Sequence, residues 1–137
     1  LTVVTNDLAI AQVLTPVPGL YVILLGGHID AESNSTCGIL AANMVRSMHF
    51  DYCFFGTQAV TPDWRIMTAN AEKIDVKRAC LDAADKLVLV ADHSKFKKHK
   101  LYYIFDLWKL DILISDYQAS EEEEKLFAEH GLEFIQV

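Results

Sequence analysis

The sequence predicts an α/β fold built on a mainly parallel sheet. Six short apolar, β-branched runs recur along the chain, and helical patterns separate most of them. Polar or glycine residues directly follow several of the runs, as expected of loops at the carboxyl edge of such a sheet, where ligands bind. With 137 residues, 52% of them hydrophobic, there is material for a single core and one domain.

Leu1–Thr5 is the first predicted strand. Asn6 and Asp7 are suited to cap a helix through Leu8, Ile10, Ala11 and Leu14, which Pro16, Pro18 and Gly19 stop. Leu20–Leu25 is the second strand, ended by Gly26-Gly27. A polar loop from His28 to Ser35 leads into a helix over about 36–49, with Ile39, Leu40, Met44, Val45 and Met48 at helical spacing. The third strand, Tyr52–Phe55, stops at Gly56, and Thr57 to Ala69 read as a long loop of the kind that often carries function. A helix over about 70–85 precedes the fourth strand, Lys86–Val90, and a loop runs from Asp92 to Lys100. The aromatic segment from Leu101 to Leu110 fits an edge strand or a packed loop equally well. Asp111–Ser115 is the fifth strand, Ser120–His130 an acidic helix terminated by Gly131, and Glu133–Val137 the last strand.

Bulk chemistry excludes several classes of function. Twelve basic against nineteen acidic residues give a net charge of -7, which offers no general attraction to DNA or an acidic membrane. No apolar run reaches the roughly 18 residues that span a bilayer. Cys37, Cys53 and Cys80 are odd in number, lack CxxC spacing and lie in or beside apolar segments, which suits reduced core thiols and a cytoplasmic protein. The five histidines form neither HxH nor HExxH, so no metal is expected. Gly26-Gly27 lacks the GxGxxG and GxxxxGK[ST] contexts of nucleotide sites, and no cofactor is expected. The chain begins without Met inside a predicted strand, which reads as an excised piece.

The candidate binding residues are those at the strand ends. Asn6, Gly26, Gly27, Gly56, Thr57 and Asp92 follow predicted strands and would gather on one edge of a parallel sheet. Gln58 lies just beyond, and Ser94 and Lys95 follow Asp92 in a polar, cationic loop. Lys77 falls within the helical arc of Ile74, Val76 and Cys80, one turn beyond Lys73, with Arg78 on the opposite, solvated side. Its ammonium either reaches a ligand or snorkels past the core to water. Lys77, Lys73 and Lys95 together would supply local positive charge suited to an anion of charge near minus two. The run Lys95 to Lys100 reads as a solvated loop, and Glu121 to Glu124 as a favourable first helical turn.

The stretches Leu1-Thr2-Val3-Val4-Thr5-Asn6, Val22-Ile23-Leu24-Leu25-Gly26-Gly27, Phe54-Phe55-Gly56, Val76-Lys77-Arg78-Ala79 and Ala91-Asp92-His93-Ser94-Lys95-Phe96 occur in an order that resembles the DeoR family of bacterial transcriptional repressors, in its C-terminal effector-sensing domain. The resemblance runs from end to end. It implies a Rossmann-like three-layer fold related to ribose-5-phosphate isomerase and the CoA transferases. It also implies a phosphorylated sugar as effector, oligomerisation through the sensor, and DNA binding through an N-terminal helix-turn-helix. That module and the family's Asp-x-Gly-Thr-Thr strand-to-helix turn have no counterpart within residues 1–137. Gly56-Thr57-Gln58-Ala59-Val60 stands where the family usually shows Gly-Ala-Asp-Gly-Ile, and Trp64-Arg65-Ile66-Met67-Thr68 replaces a commoner Gly-Leu-Thr-Thr pattern.

Three classes follow. A sensor would bind phosphate with Lys77, Lys95 and strand-end amides, and sugar hydroxyls with Asn6, Gln58 and Asp92. An aldose–ketose isomerase of the same fold needs a carboxylate to move a proton beside a carbonyl; Gln58 is an amide at that position, leaving Glu72 as the alternative. A dimerisation module would self-associate without responding to ligand, and Tyr102, Tyr103, Phe105 and Trp108 would serve either a subunit contact or a satellite core.

Overall fold

The computed structural model describes all 137 residues, Leu1 to Val137. In chain order the elements are β1 (Thr2–Thr5), α1 (Leu8–Leu14), β2 (Tyr21–Leu24), β3 (His28–Asp30), β4 (Ser35–Cys37), α2 (Gly38–Arg46), β5 (Phe50–Phe55), β6 (Ala59–Val60), β7 (Arg65–Thr68), α3 (Glu72–Leu81), β8 (Ala84–Val90), β9 (Tyr102–Asp106), β10 (Ile112–Ser115), α4 (Glu121–Glu129) and β11 (Glu133–Gln136). Two 3-10 turns, His93–Lys95 and Leu107–Lys109, follow β8 and β9. No helix is long and apolar enough to cross a membrane.

The parallel strands divide between two sheets. Four of them lie side by side in the order β11-β10-β8-β5, while β1 and β2 bond only to each other. The single carboxyl edge expected from the sequence is therefore divided between two sheets, whose outer strands, β1 and β2 in one and β5 and β11 in the other, each keep one side unpaired. Two short antiparallel units complete the chain, the hairpin β3-β4 and the sheet β6-β7-β9.

These antiparallel units are where the sequence reading is corrected. His28 to Ser35 is not simply a polar loop: it forms most of a hairpin turning through Asn34 at φ 51°, and α2 starts only at Gly38. The long loop of 57–69 contains β6 and β7, with Trp64 at φ 64° in the turn between them. The aromatic segment resolves as a strand, β9, paired with β7. Period-two patterning over two to five residues is too short to stand out from a loop. Strands β5 and β8 each begin two residues before the predicted starts, and α3 ends at Leu81 instead of Asp85.

Local chemistry sets the helix starts. Asp7 caps α1 by accepting from the Ile10 amide at 2.9 Å, and Ser120 and Glu123 form a reciprocal capping box on α4. One face of the four-stranded sheet is the main core: Phe55, Leu87, Leu89 and Leu113 meet Phe127 and Leu132 and the aromatic residues Trp64 and Phe105. A second cluster joins Leu25 to Ala41, Ala42 and Val45 of α2 and to Val76 and Ala79 of α3. The other sheet face is partly open. Tyr52 and Phe54 stack there with ring centroids 6.2 Å apart and remain exposed, as does Val90.

Candidate functional site

A cavity of about 130 Å³ opens between the end of β1 and strand β5. Asn6 lines it from β1, Cys37 from β4, and the run Cys53 to Gly56 from β5; α3 contributes Lys73, Val76, Lys77 and Cys80. The α3 residues follow i, i+3, i+4, i+7 spacing, so one helical face presents them all. No carboxylate is among the lining residues.

Three predicted site residues, Asn6, Gly56 and Lys77, meet here. Asn6 Nδ2 donates to the Thr36 carbonyl at 2.9 Å, which ties the end of β1 to β4. Lys77 Nζ donates to the Gly56 carbonyl at 2.6 Å, drawing the ammonium to the carboxyl end of β5. Burial and the adjacent Lys73 cation together lower the Lys77 pKa to about 8. Lys73 also lines the cavity, but its charge is committed: its ammonium lies 3.3 Å from Asp30, in a largely buried pair. The hydroxyl of Ser33 donates to that same carboxylate and holds Asp30 below its ordinary range.

The remaining predicted residues stand elsewhere. Gly27, at φ 138°, packs so closely on α2 that a Cβ would lie 2.7 Å from the Cys37 carbonyl, a packing reason for glycine at this turn. Gly26 donates its amide to Met44 Sδ at 3.1 Å. The Thr57 hydroxyl donates to the Ala59 carbonyl. Gln58 Oε1 accepts from the Thr68 hydroxyl at 2.9 Å and the Ala69 amide at 2.7 Å, so its side chain ties the loop after β5 to the end of β7. Asp92 caps the 3-10 turn by accepting from the Ser94 amide and pairs with Lys95 at 3.8 Å. The expectation that Lys95 and Lys77 share a hollow is not met within this cavity, because Lys95 is not among its lining residues. Arg78 is exposed, as expected, and also reaches β9, where its Nε donates to the Ile104 carbonyl at 2.8 Å and Nη2 to that of Tyr103 at 3.3 Å.

Sequence reasoning missed two features. All three cysteines line the cavity; the spacing of Cys80 from Lys77 on α3 and the place of Cys53 on the strand that ends at Gly56 were the available signals, and Cys37 offered none. Burial pushes the Cys37 thiol up to about 11, with Glu72 adding to the effect through a 3.3 Å hydrogen bond. Glu72, the alternative base, is thus engaged outside the cavity lining. Second, Asp116, just past β10, accepts from the His93 amide at 2.6 Å and lies 2.7 Å from its Nδ1, forming a dyad at the carboxyl edge of the sheet.

The comparisons with known proteins decide what kind of molecule carries this cavity. The family model described as the DeoR C terminal sensor domain matches residues 1–117. The chain belongs to the DeoR sensor-domain family. Among its relatives is the HTH-type transcriptional regulator GolR of Listeria innocua, 32% identical over 96% of this chain and 52% of that protein. The HTH-type transcriptional repressor GlcR of Bacillus subtilis is 29% identical over 98% of this chain and 52% of its own length. The glycerol-3-phosphate regulon repressor of Escherichia coli is 21% identical over 97% and 53%. The chain spans about half the length of these curated relatives. Its α/β architecture with a four-stranded parallel sheet suits the Rossmann-like fold expected of a DeoR sensor domain. The relatives are regulators of transcription.

Proposed function

We propose that this domain is the effector-sensing part of a cytoplasmic DeoR-type repressor of carbohydrate metabolism, binding a phosphorylated sugar that alters DNA binding by an N-terminal helix-turn-helix, and that it works as a homo-oligomer. The observation that carries this reading is Lys77, a cation without an acidic partner, at the carboxyl end of β5 in a cavity free of carboxylates. Such a group recognises an oxyanion, and the family membership supplies the regulatory context. Asn6 and the Gly56 backbone lie beside it, while Thr57, Gln58, Gly26 and Gly27, with the loop of Asp92, Ser94 and Lys95, would complete the site after rearrangement. A domain that senses must bind its effector more tightly in one conformation than in the other.

The test is thermal stability of the full-length protein with a panel of sugar phosphates. A ligand at 100 times its dissociation constant adds about 2.7 kcal/mol. Lys77→Met abolishes that gain. An unchanged gain removes Lys77 from the site, and a panel without any hit overturns the effector reading.

A further inference from the structure

Lys77 differs from the other lysines around the strand ends in having no acid beside it. Lys73 is paired with Asp30 and Lys95 with Asp92, whereas the one hydrogen bond of Lys77 Nζ goes to a neutral acceptor, the Gly56 carbonyl. Burial and the Lys73 charge favour the unprotonated amine and outweigh Cys80, whose charge favours the ammonium. The cavity that Lys77 lines is also lined by Lys73 and Cys80 of α3, Cys53 of β5 and Cys37 of β4, while Asp30 is paired with Lys73 and Glu72 is engaged by Cys37 and His28. With a pKa lowered to about 8, about one lysine in five carries a free lone pair near pH 7.4, against about one in a thousand for an ordinary lysine. A desolvated lysine next to another cation is the arrangement that makes an amine a nucleophile toward carbonyl compounds.

We propose that Lys77 Nζ captures the carbonyl carbon of a small phosphorylated aldehyde or open-chain sugar that enters the cavity, and holds it as an iminium. The amine loses a proton to water and its lone pair attacks the carbonyl carbon. The oxygen takes up protons and leaves as water, and the nitrogen keeps one hydrogen in a C=N bond. The ammonium and carbonyl become an iminium and one water, so charge and atoms balance without an oxidant or reductant. The Gly56 carbonyl, already 2.6 Å from Nζ, holds the amine at the mouth of the cavity and accepts the iminium N–H. This inference rests on the effector reading for its ligand class. It adds a covalent bond that reversible recognition by charge does not need.

The experiment treats the full-length protein with glycolaldehyde phosphate and sodium cyanoborohydride, which reduces an iminium to a stable secondary amine, and maps the adduct by peptide mass spectrometry. Lys77 is labelled ahead of the exposed Lys97, Lys98 and Lys100, and its labelling rate rises with a midpoint near pH 8. Lys77→Arg, which has no amine able to form the iminium, loses the adduct in the same peptide map. Equal labelling of all lysines, or an undiminished adduct in Lys77→Arg, overturns the proposal. Stabilisation of the native protein without an adduct at Lys77 overturns covalent capture alone and leaves the effector reading standing. The peptide map of the native protein decides the matter even where the variant does not fold.

Discussion

His93 and Asp116 show how two exposed side chains at a sheet edge fix each other. Hydrogen bonding to Asp116, with its negative charge, raises the His93 pKa above 6.5, and the same bond lowers that of Asp116 below 3.8. A raised imidazole contributes fully below about 6.5 and loses its contribution as pH rises through the higher folded value. A depressed carboxylate contributes above about 3.8 and loses its contribution as pH falls through the lower folded value. The pair is therefore complete in mildly acidic solution and weakens on either side. Asp116→Asn returns the imidazole to a titration near 6.5, read by NMR of the ring protons; an unaltered titration refutes the pairing. At Gln58 the sequence was informative in a narrower way. It showed that a carboxylate was missing, but the two hydrogen bonds occupying its oxygen come from Thr68 at the end of β7 and from Ala69 just after it, ten and eleven residues on.

Among the elements, α3 bears most on the site, since it joins the cavity to the rest of the molecule. Its inner face carries Lys73, Val76, Lys77 and Cys80, and its Arg78 holds the carbonyls of Tyr103 and Ile104 on β9. Arg78→Ala leaves the buried Ile104 carbonyl without that donor. The expected loss is about 1–3 kcal/mol in denaturant unfolding, with a loss near zero counting against the tether. The helices and long parallel strands were legible because their patterns repeat over enough residues to be distinctive. The placement of Lys77 on an apolar arc was legible for the same reason. Hairpin β3-β4 and sheet β6-β7-β9 were not, because each strand is short and its partner lies either across a turn or, for β9, beyond α3 and β8. Asp30, which neutralises Lys73, sits on one of those strands, and so the commitment of that cation was hidden as well.

For the whole molecule, stability is concentrated on one face of the four-stranded sheet. Leu89 is fully buried at its centre, while Phe54 on the neighbouring strand is 66% exposed on the opposite face. Leu89→Ala costs about 2–5 kcal/mol. Phe54→Ala, in residues 1–137 alone, changes stability by less than about 0.5 kcal/mol. Similar losses from the two truncations, compared by calorimetry, would contradict this polarity. The unpaired sides of β1 and β5 bear on how these residues behave in a test tube. Rows of free amides and carbonyls next to uncovered aromatic rings are templates for foreign strands. Residues 1–137 prepared alone will accordingly stick to one another as they are concentrated, giving light scattering that climbs with protein load, and a sample that stays monodisperse would show that some other device blunts those edges.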